Sequence, residues 1–197
     1  MTTQTIRPFI GLILAGGDSS RMGADKALLE INGETLLQRN IALLKRIGAA
    51  DVFISRNDFT EGSLPDIYPH HGPLSGIHSA LFQSNLYHLS TPILVLPIDM
   101  PLLSEDLLIC LVEAGLTMSS PVHYAEHPLP AFILNSSVVR EYLETILSDV
   151  TAARPSRSVT RFLERIGAVQ LSTTEAEKLV NTNTPEQWGD MVNNFIK

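Results

Sequence analysis

Short apolar runs alternate along this chain with longer amphipathic segments, and this alternation limits the possible fold more than any other feature. Phe9–Ala15 and Ile93–Leu96 are almost entirely apolar, as strands are when both faces of their sheet are covered. Between two such runs, Leu37, Ile41 and Leu44 recur at helical spacing. Strands and helices that alternate in this way predict an α/β fold with a mostly parallel sheet covered on both faces.

The remaining elements follow from the same patterns. Further strands are expected at 51–55, 131–134 and 168–171, and helices at 35–47, 76–82, 138–147 and from Ser104, Ser158 and Pro185. Ser104 is expected to cap its helix, and Thr184–Gln187 reads as a capping box with proline at the first helical position. No repeat or low-complexity linker divides the chain, so a single domain over residues 1–197 is expected.

Composition narrows the classes of function. The chain has 197 residues, with 14 lysines and arginines against 21 aspartates and glutamates, which gives a net charge of -7. This charge excludes a bulk basic surface for nucleic acid or anionic lipid. No apolar run reaches the ~18 residues of a membrane span, and the single cysteine, Cys110, fits a reducing compartment. We therefore expect a cytoplasmic protein in which Cys110 is buried among leucines.

A glycine-rich loop follows the first predicted strand, where α/β proteins bind their ligands. Leu14–Gly17 ends in paired glycines, whose backbone N–H groups can approach an anion, and Arg21 and Lys26 add two cations suited to a polyphosphate. Gly17 and Gly23 match neither the P-loop nor the dinucleotide fingerprint. On its own, the loop is equally well explained as an ordinary glycine turn with solvated charges.

A carboxylate stands where the third buried strand ends. Asp99 follows Ile93–Leu96 closely, and Pro101 favours an extended backbone just before it. A carboxylate so placed could hold Mg²⁺, although an aspartate that merely caps a turn is the alternative. Pro97 has no N–H to donate, so regular strand pairing should stop near it.

Four groups of residues appear in a fixed order. They are Leu14–Gly17 with Ser20–Gly23 and Asp25–Lys26, then Gly72–Gly76, Asp99–Pro101 and Asn181–Pro185. Together they resemble the motifs of the molybdenum cofactor guanylyltransferases, a family within the larger group of Rossmann-like nucleotidyltransferases. The resemblance runs from Leu14 through Asn183 and the helix after it, and it implies a three-layer Rossmann-like sandwich.

The resemblance also implies an activity, the transfer of GMP from GTP to the phosphate of molybdopterin with release of pyrophosphate. The implied metal is Mg²⁺, with Mn²⁺ as the alternative, and molybdenum-insertion or molybdoenzyme maturation proteins are the implied partners. The implied catalytic residues are Arg21, Lys26 and Asp99, and the implied metal ligands are Asp99 and Asn183. Asn181 and Asn183 would face the acceptor. The implied nucleotide-binding residues are Leu14, Ala15, Gly16, Gly17, Lys26, Asn57, Asp66, Gly72, Pro73, Leu74, Gly76 and Asp99.

Three alternatives remain at this point. The first is a cytidylyltransferase, but such a relative would carry alanine where Gly16 stands, so Gly16 favours guanine. A carboxylate such as Asp66 could accept hydrogen bonds from guanine or from a ribose hydroxyl. Sugar-1-phosphate nucleotidyltransferases are typically longer. A non-catalytic nucleotide-binding assembly factor is disfavoured because Arg21, Lys26 and Asp99 are all retained.

Several other residues can be explained by a structural role as well as by a functional one. His70, His71 and His78 lack metal-binding spacing, and we interpret them as loop histidines near an anionic ligand. His127–Ala131 is either a turn stiffened by two prolines or, by resemblance to the family, a loop near the acceptor pterin. Trp188 is expected to anchor the terminal helix in the core or at an interface.

Overall fold

The computed structural model describes residues 8–16, 25–58, 62–83, 90–149 and 158–195. The strands are β1 (Ile10–Leu14), β2 (Glu30–Ile31), β3 (Glu34–Thr35), β4 (Asp51–Ser55), β5 (Ser63–Leu64), β6 (Ile93–Pro97), β7 (Val122–Tyr124), β8 (His127–Ile133) and β9 (Val169–Leu171). The helices are α1 (Leu36–Arg46), α2 (Pro73–Gln83), α3 (Glu105–Met118), α4 (Ser137–Ser148), α5 (Val159–Arg165) and α6 (Pro185–Phe195). Short 3₁₀ turns cover Lys26–Leu28 and Ala176–Leu179.

Seven of the described strands form one sheet in the order β5-β4-β1-β6-β8-β7-β9, and β2 pairs with β3 in a separate hairpin. Within the sheet β8 pairs antiparallel with both β6 and β7, whereas the other neighbours pair in parallel. The expectation of an α/β fold with a mostly parallel central sheet is therefore confirmed.

Helices cover both faces of this sheet because its central strands are apolar on both sides. On β6, Leu94 and Leu96 pack into one core cluster with residues of α1, α3 and α6. Ile93 and Val95 point the other way, into a second cluster with residues of α2, α4 and α5. The result is the expected three-layer arrangement of helices, sheet and helices.

Local sequence signals explain most helix ends. Thr35 and Gln38 form a reciprocal capping box at the start of α1, and Ser158 accepts from the Arg161 N–H at the start of α5. Ser104 occupies the N-cap position of α3, as expected, but the prediction that its side chain caps the helix is wrong. Its side chain makes no capping hydrogen bond, and its Oγ is buried without a partner among the described residues.

Two further expectations are corrected by the fold. His127–Ala131 is neither a turn nor a separate loop, because it lies within β8, which makes a hairpin with β7. Cys110 is exposed on α3 and not buried. Trp188 is partly buried against the core, as expected. None of the described helices is long and apolar enough to cross a membrane.

Candidate active site

Three central strands end at the same level, and this places the residues that follow them along one edge of the sheet. Leu14 at the end of β1 is opposite Ser55 of β4 and Pro97 of β6. Beyond these pairs, the Ala15 N–H donates to the Ser55 carbonyl at 3.1 Å, and the Ile98 N–H donates to the Leu14 carbonyl at 3.2 Å. Ligands of open α/β sheets bind at this carboxyl edge.

Lys26 is held by the short turn that it begins. Asp25 precedes the turn in an extended conformation, and its Oδ1 accepts from the Ala27 N–H at 3.0 Å. Ala27 is fully buried, which anchors the turn in the core. The backbone around Lys26 is therefore fixed on both sides by the aspartate and the alanine.

The Lys26 ammonium group joins two residues that are far away in sequence. Its Nζ donates to Asp99 Oδ2 at 3.1 Å and to Asn183 Oδ1 at 2.6 Å. The side chains of Lys26 and Asp99 are each 17% exposed, so this ion pair is shielded from bulk water but can still be reached. Arg21 and Gly17, the other residues predicted in the first loop, lie outside the described residues.

Thr182 was not singled out from the sequence, and it positions Asn183. It is 3% exposed, and both its N–H and its hydroxyl donate to the Asp99 carbonyl, at 2.8 Å and 3.3 Å. Asn183 donates its own N–H to Gln187 Oε1 at 2.7 Å, so this glutamine braces the segment before α6. Asn181, by contrast, is exposed.

Arg56 is the second residue that sequence reasoning missed, although its position directly after β4 is a signal. Its Nη2 donates to Asp25 Oδ2 at 2.7 Å, and its Nε donates to Asp58 Oδ2 at 2.8 Å. Partial burial acts to lower the pKa of the guanidinium, but hydrogen bonds and attraction from the two carboxylates outweigh it and raise that pKa. Arg56 is therefore a permanent cation at this edge.

Asn57 and Asp66, both predicted to contact the nucleotide, contact each other. Asn57 Nδ2 donates to Asp66 Oδ2 at 2.8 Å, and the Asp66 N–H donates back to Asn57 Oδ1 at 2.8 Å. The Ser55 hydroxyl donates to the other carboxylate oxygen of Asp66 at 3.4 Å. These bonds fix the register of the loop after β5 and place an amide and a carboxylate side by side.

The segment Gly72–Gly76 forms the start of α2, and its members have different roles in packing. Gly72 has a φ of 72°, a left-handed conformation that suits glycine. Pro73 opens the helix, and the fully buried Leu74 belongs to the core, so only its backbone could meet a ligand. Gly76 packs against the ends of β1 and β4, where a Cβ would lie 2.8 Å from Leu14 Cδ2.

Glu144 on α4 contacts both Tyr68, in the loop before α2, and His78, on α2. The Tyr68 hydroxyl donates to Glu144 Oε1 at 2.5 Å, and His78 Nε2 lies 2.7 Å from Oε2. The hydrogen bonds from Tyr68 and then His78 lower the pKa of the Glu144 carboxyl. The bond to Glu144 in turn raises the pKa of Tyr68. His78 is 1% exposed and stacks on Phe82, so its interpretation as a loop histidine is wrong.

The donor set at the strand ends fits a hard divalent cation. Asp99 offers carboxylate oxygens and Asn183 an amide oxygen, and both already bind one cationic group, the Lys26 ammonium. Proteins often hold Mg²⁺ through one or two such groups together with the phosphates of a ligand. Within the described parts of the chain, no cluster of three or more His, Cys, Asp or Glu residues could hold a metal.

Comparison with known proteins identifies the family. The family profile described as the MobA-like NTP transferase domain matches residues 11–169. The chain belongs to this family. The matched region includes Lys26, Arg56 and Asp99 but ends before Thr182 and Asn183, which only the folded chain brings to the same edge.

Relatives and solved structures agree with this membership. A molybdenum cofactor guanylyltransferase from Xanthomonas euvesicatoria pv. vesicatoria is 36% identical over 98% of this chain and 97% of its own length. Molybdopterin-guanine dinucleotide biosynthesis protein A from Archaeoglobus fulgidus has a TM-score of 0.69 at 20% identity, over 92% of this chain and 96% of its own. The 2-C-methyl-D-erythritol 4-phosphate cytidylyltransferase from Thermus thermophilus has a TM-score of 0.63 at 16% identity, over 91% and 95%. The two structural likenesses show a shared nucleotidyltransferase fold.

Proposed function

We propose that this chain transfers GMP from GTP to the phosphate of molybdopterin, forming the guanine dinucleotide cofactor and releasing pyrophosphate. The observation that carries the proposal is the convergence of Lys26, Asp99 and Asn183 at the carboxyl edge of the sheet. The name of the Xanthomonas relative, which spans nearly the whole chain, supports this activity over others of the same fold.

The reaction requires little covalent help from the protein. An oxygen of the acceptor phosphate attacks the α-phosphorus of GTP, and the bond from that phosphorus to the bridging oxygen of pyrophosphate breaks. Because the nucleophile is already an anion, no general base is needed. The barrier comes from repulsion between two anions and from charge that builds on the leaving group, which fixed cations stabilise.

Lys26 is the described cation best placed for that task. In this structure its ammonium group donates hydrogen bonds to Asp99 and Asn183. Asp99 and Asn183 would hold Mg²⁺ (or Mn²⁺) through their carboxylate and amide oxygens, and the Lys26 ammonium group would bind the phosphates of GTP. The bound metal would supply charge neutralisation for the triphosphate and leaving pyrophosphate. We infer that Arg21 adds a second cation, and that the exposed Asn181 faces the acceptor.

The pair Asn57 and Asp66 is our candidate for the guanosine contact. Their four polar atoms are fixed relative to one another by two hydrogen bonds of 2.8 Å. A carboxylate accepts hydrogen bonds, so Asp66 suits the N–H groups of guanine or a ribose hydroxyl. The backbone from Leu14 to Gly17 and the turn Gly72–Gly76 would complete the nucleotide site.

Substitution of Asp99 tests the activity directly. With GTP, Mg²⁺ and molybdopterin, Asp99→Ala should lower kcat for pyrophosphate release by ~10²–10³ because an electrostatic contact to the transition state is lost. Asp190→Ala, which removes an exposed carboxylate on α6, is the matched control and should match the unmodified chain. Circular dichroism should show that both variants are folded. Turnover by Asp99→Ala at the control rate, or none by the unmodified chain, contradicts the proposal.

Thermal-shift measurements with GTP and CTP test which nucleotide base the site prefers. At a concentration of ~100 Kd, GTP with Mg²⁺ should stabilise the fold by about 2.7 kcal/mol. CTP at the same concentration should give a clearly smaller shift, and Asp66→Asn should weaken the GTP shift, since an amide NH₂ cannot accept a hydrogen bond. Stabilisation by CTP and not by GTP would assign the chain to cytidylyl transfer instead, and equal stabilisation by both would contradict the preference for guanine.

A further inference from the structure

Arg56 links two loops of the candidate site through one guanidinium group. The group donates from Nη2 to Asp25 and from Nε to Asp58, and its side chain is only 18% exposed. Arg56 directly follows β4, whose register with β1 is fixed by parallel pairing. The guanidinium group therefore lies beside the end of β4 and binds the loop that contains Asp25.

The two oxygens of Asp25 have separate partners. Oδ1 accepts from the Ala27 N–H at 3.0 Å and closes the turn that Lys26 begins, whereas Oδ2 accepts from Arg56 at 2.7 Å. A continuous series of contacts therefore runs from the end of β4 through Asp25 to the backbone of Lys26. From there the Lys26 side chain reaches Asp99, which follows β6.

We propose that Arg56 is a positioning residue that holds Asp25, and through Asp25 the turn of Lys26, in register with Asp99. Its consequence for turnover rests on the function proposed above. A catalytic cation must be fixed before the reaction, because a displacement of about 1 Å can cost ~10²-fold in rate. Arginine suits this role because its planar fork can bind two carboxylates at once, which the single ammonium group of lysine does less well.

Two carboxylates compete for the guanidinium, and they differ in what they support. Asp25 belongs to the turn that holds Lys26, whereas Asp58 lies two residues beyond Arg56 on the same loop. Loss of Arg56 would therefore remove one of the contacts that hold the Lys26 turn, the ion pair to Asp25, without changing any group that contacts Lys26 Nζ directly. The expected kinetic effect is a fall in kcat of about 10- to 100-fold, larger than any rise in KM for GTP.

The test compares Arg56→Gln with Arg165→Gln, which removes an exposed guanidinium on α5, outside the candidate site. Lysine acetylation followed by mass spectrometry reports on the turn without any assumption about activity. Exposed Lys45 serves as the internal reference. In Arg56→Gln, acetylation of Lys26 relative to Lys45 should rise about tenfold, as expected for loss of a charge-assisted hydrogen bond. In Arg165→Gln it should not change.

Further variants separate positioning from a general loss of folding. Asp25→Asn keeps an oxygen for the Ala27 N–H but loses the ion pair, so it should raise Lys26 acetylation to a similar extent. The double variant with Arg56→Gln should add nothing further, because both changes break one link. Arg56→Lys should restore part of kcat.

Each result has one meaning. If Lys26 in Arg56→Gln is labelled as slowly as in the unmodified chain, the positioning role is wrong whatever the activity shows. If the unmodified chain releases no pyrophosphate, the proposed function fails, yet the labelling still decides whether Arg56 positions Lys26.

Discussion

A side chain at Gly76 should destabilise the fold, although this residue lies inside a helix, where alanine is normally the better residue. A Cβ built on Gly76 would lie 2.3 Å from Ser55 Oγ and 2.8 Å from both Ser55 Cβ and Leu14 Cδ2. Ser55 Oγ and Leu14 Cδ2 can rotate aside, but the Ser55 Cβ is fixed by the pairing of β4 with β1. Because this Cβ alone would lie 2.8 Å away, Gly76→Ala should push α2 outward or distort the strand ends.

The size of the effect follows from two opposing contributions. Overpacking of a filled core costs typically 1–3 kcal/mol, at the order-of-magnitude level. Alanine returns up to about 1 kcal/mol of helix propensity. We therefore expect Gly76→Ala to lower the free energy of unfolding by about 1–2 kcal/mol, which for a chain of this size lowers Tm by roughly 2–8 °C.

Gly189 provides the matched control. It also lies in a helix, α6, but a Cβ there would meet no atom within 4 Å. Gly189→Ala should therefore raise the free energy of unfolding by up to about 1 kcal/mol. Urea denaturation of both variants measures the difference, and a Gly76→Ala variant as stable as Gly189→Ala would refute the packing argument. Adding Ser55→Ala to Gly76→Ala removes the nearest atom and should recover part of the loss.

Two other substitutions test the hydrogen bonds around the helices. Because Tyr68 and His78 lower the pKa of Glu144, its ionised form stabilises the fold above the unfolded pKa of ~4.3, and this contribution is lost as pH falls through the folded pKa. Glu144→Gln should thus be less stable than the unmodified chain at neutral pH, and urea denaturation at decreasing pH should show the gap closing in acid. Buried Tyr124 donates to the Leu107 carbonyl at 2.8 Å, so Tyr124→Phe should lower the unfolding free energy by about 1 kcal/mol in the same assay. An unchanged gap across pH, or a fully stable Tyr124→Phe, would contradict the respective argument.

The fold was largely predictable because its signals are local and repeated. β4 covers the predicted residues 51–55, and helix α1 ends one residue before the predicted boundary. The continuous apolar runs required burial on both faces of the sheet, and the two core clusters on either side of β6 show this directly. Periodicity and capping residues were enough for these elements.

The first half of strand β8 could not be predicted because it contains two prolines, whereas its second half lies within the predicted strand 131–134. Its pairing with β6 covers only Ala131–Ile133, and its pairing with β7 shifts register between His123 and Tyr124. Pro128 and Pro130 fall in the stretch between the paired positions, where a missing N–H breaks no regular ladder bond. A local pattern cannot show that a proline-containing segment lies opposite an irregularity in another strand.

In the candidate site, too, some residues could be predicted from local sequence and others could not. Lys26 and Asp99 were predicted from the sequence because Lys26 follows the glycine-rich loop, Asp99 follows β6, and each carries its own chemistry; the folded chain brings their side chains within 3.1 Å. Arg56 was missed, and Thr182 was noted only as part of the group Asn181–Pro185 with no role of its own, because they contact Asp25 and the Asp99 carbonyl. The side chains predicted to meet a substrate carry their own chemistry, whereas the residues that hold them in place are defined by tertiary contacts. A variant at Arg56 should therefore alter the site as surely as one at Lys26, although no motif marks the arginine.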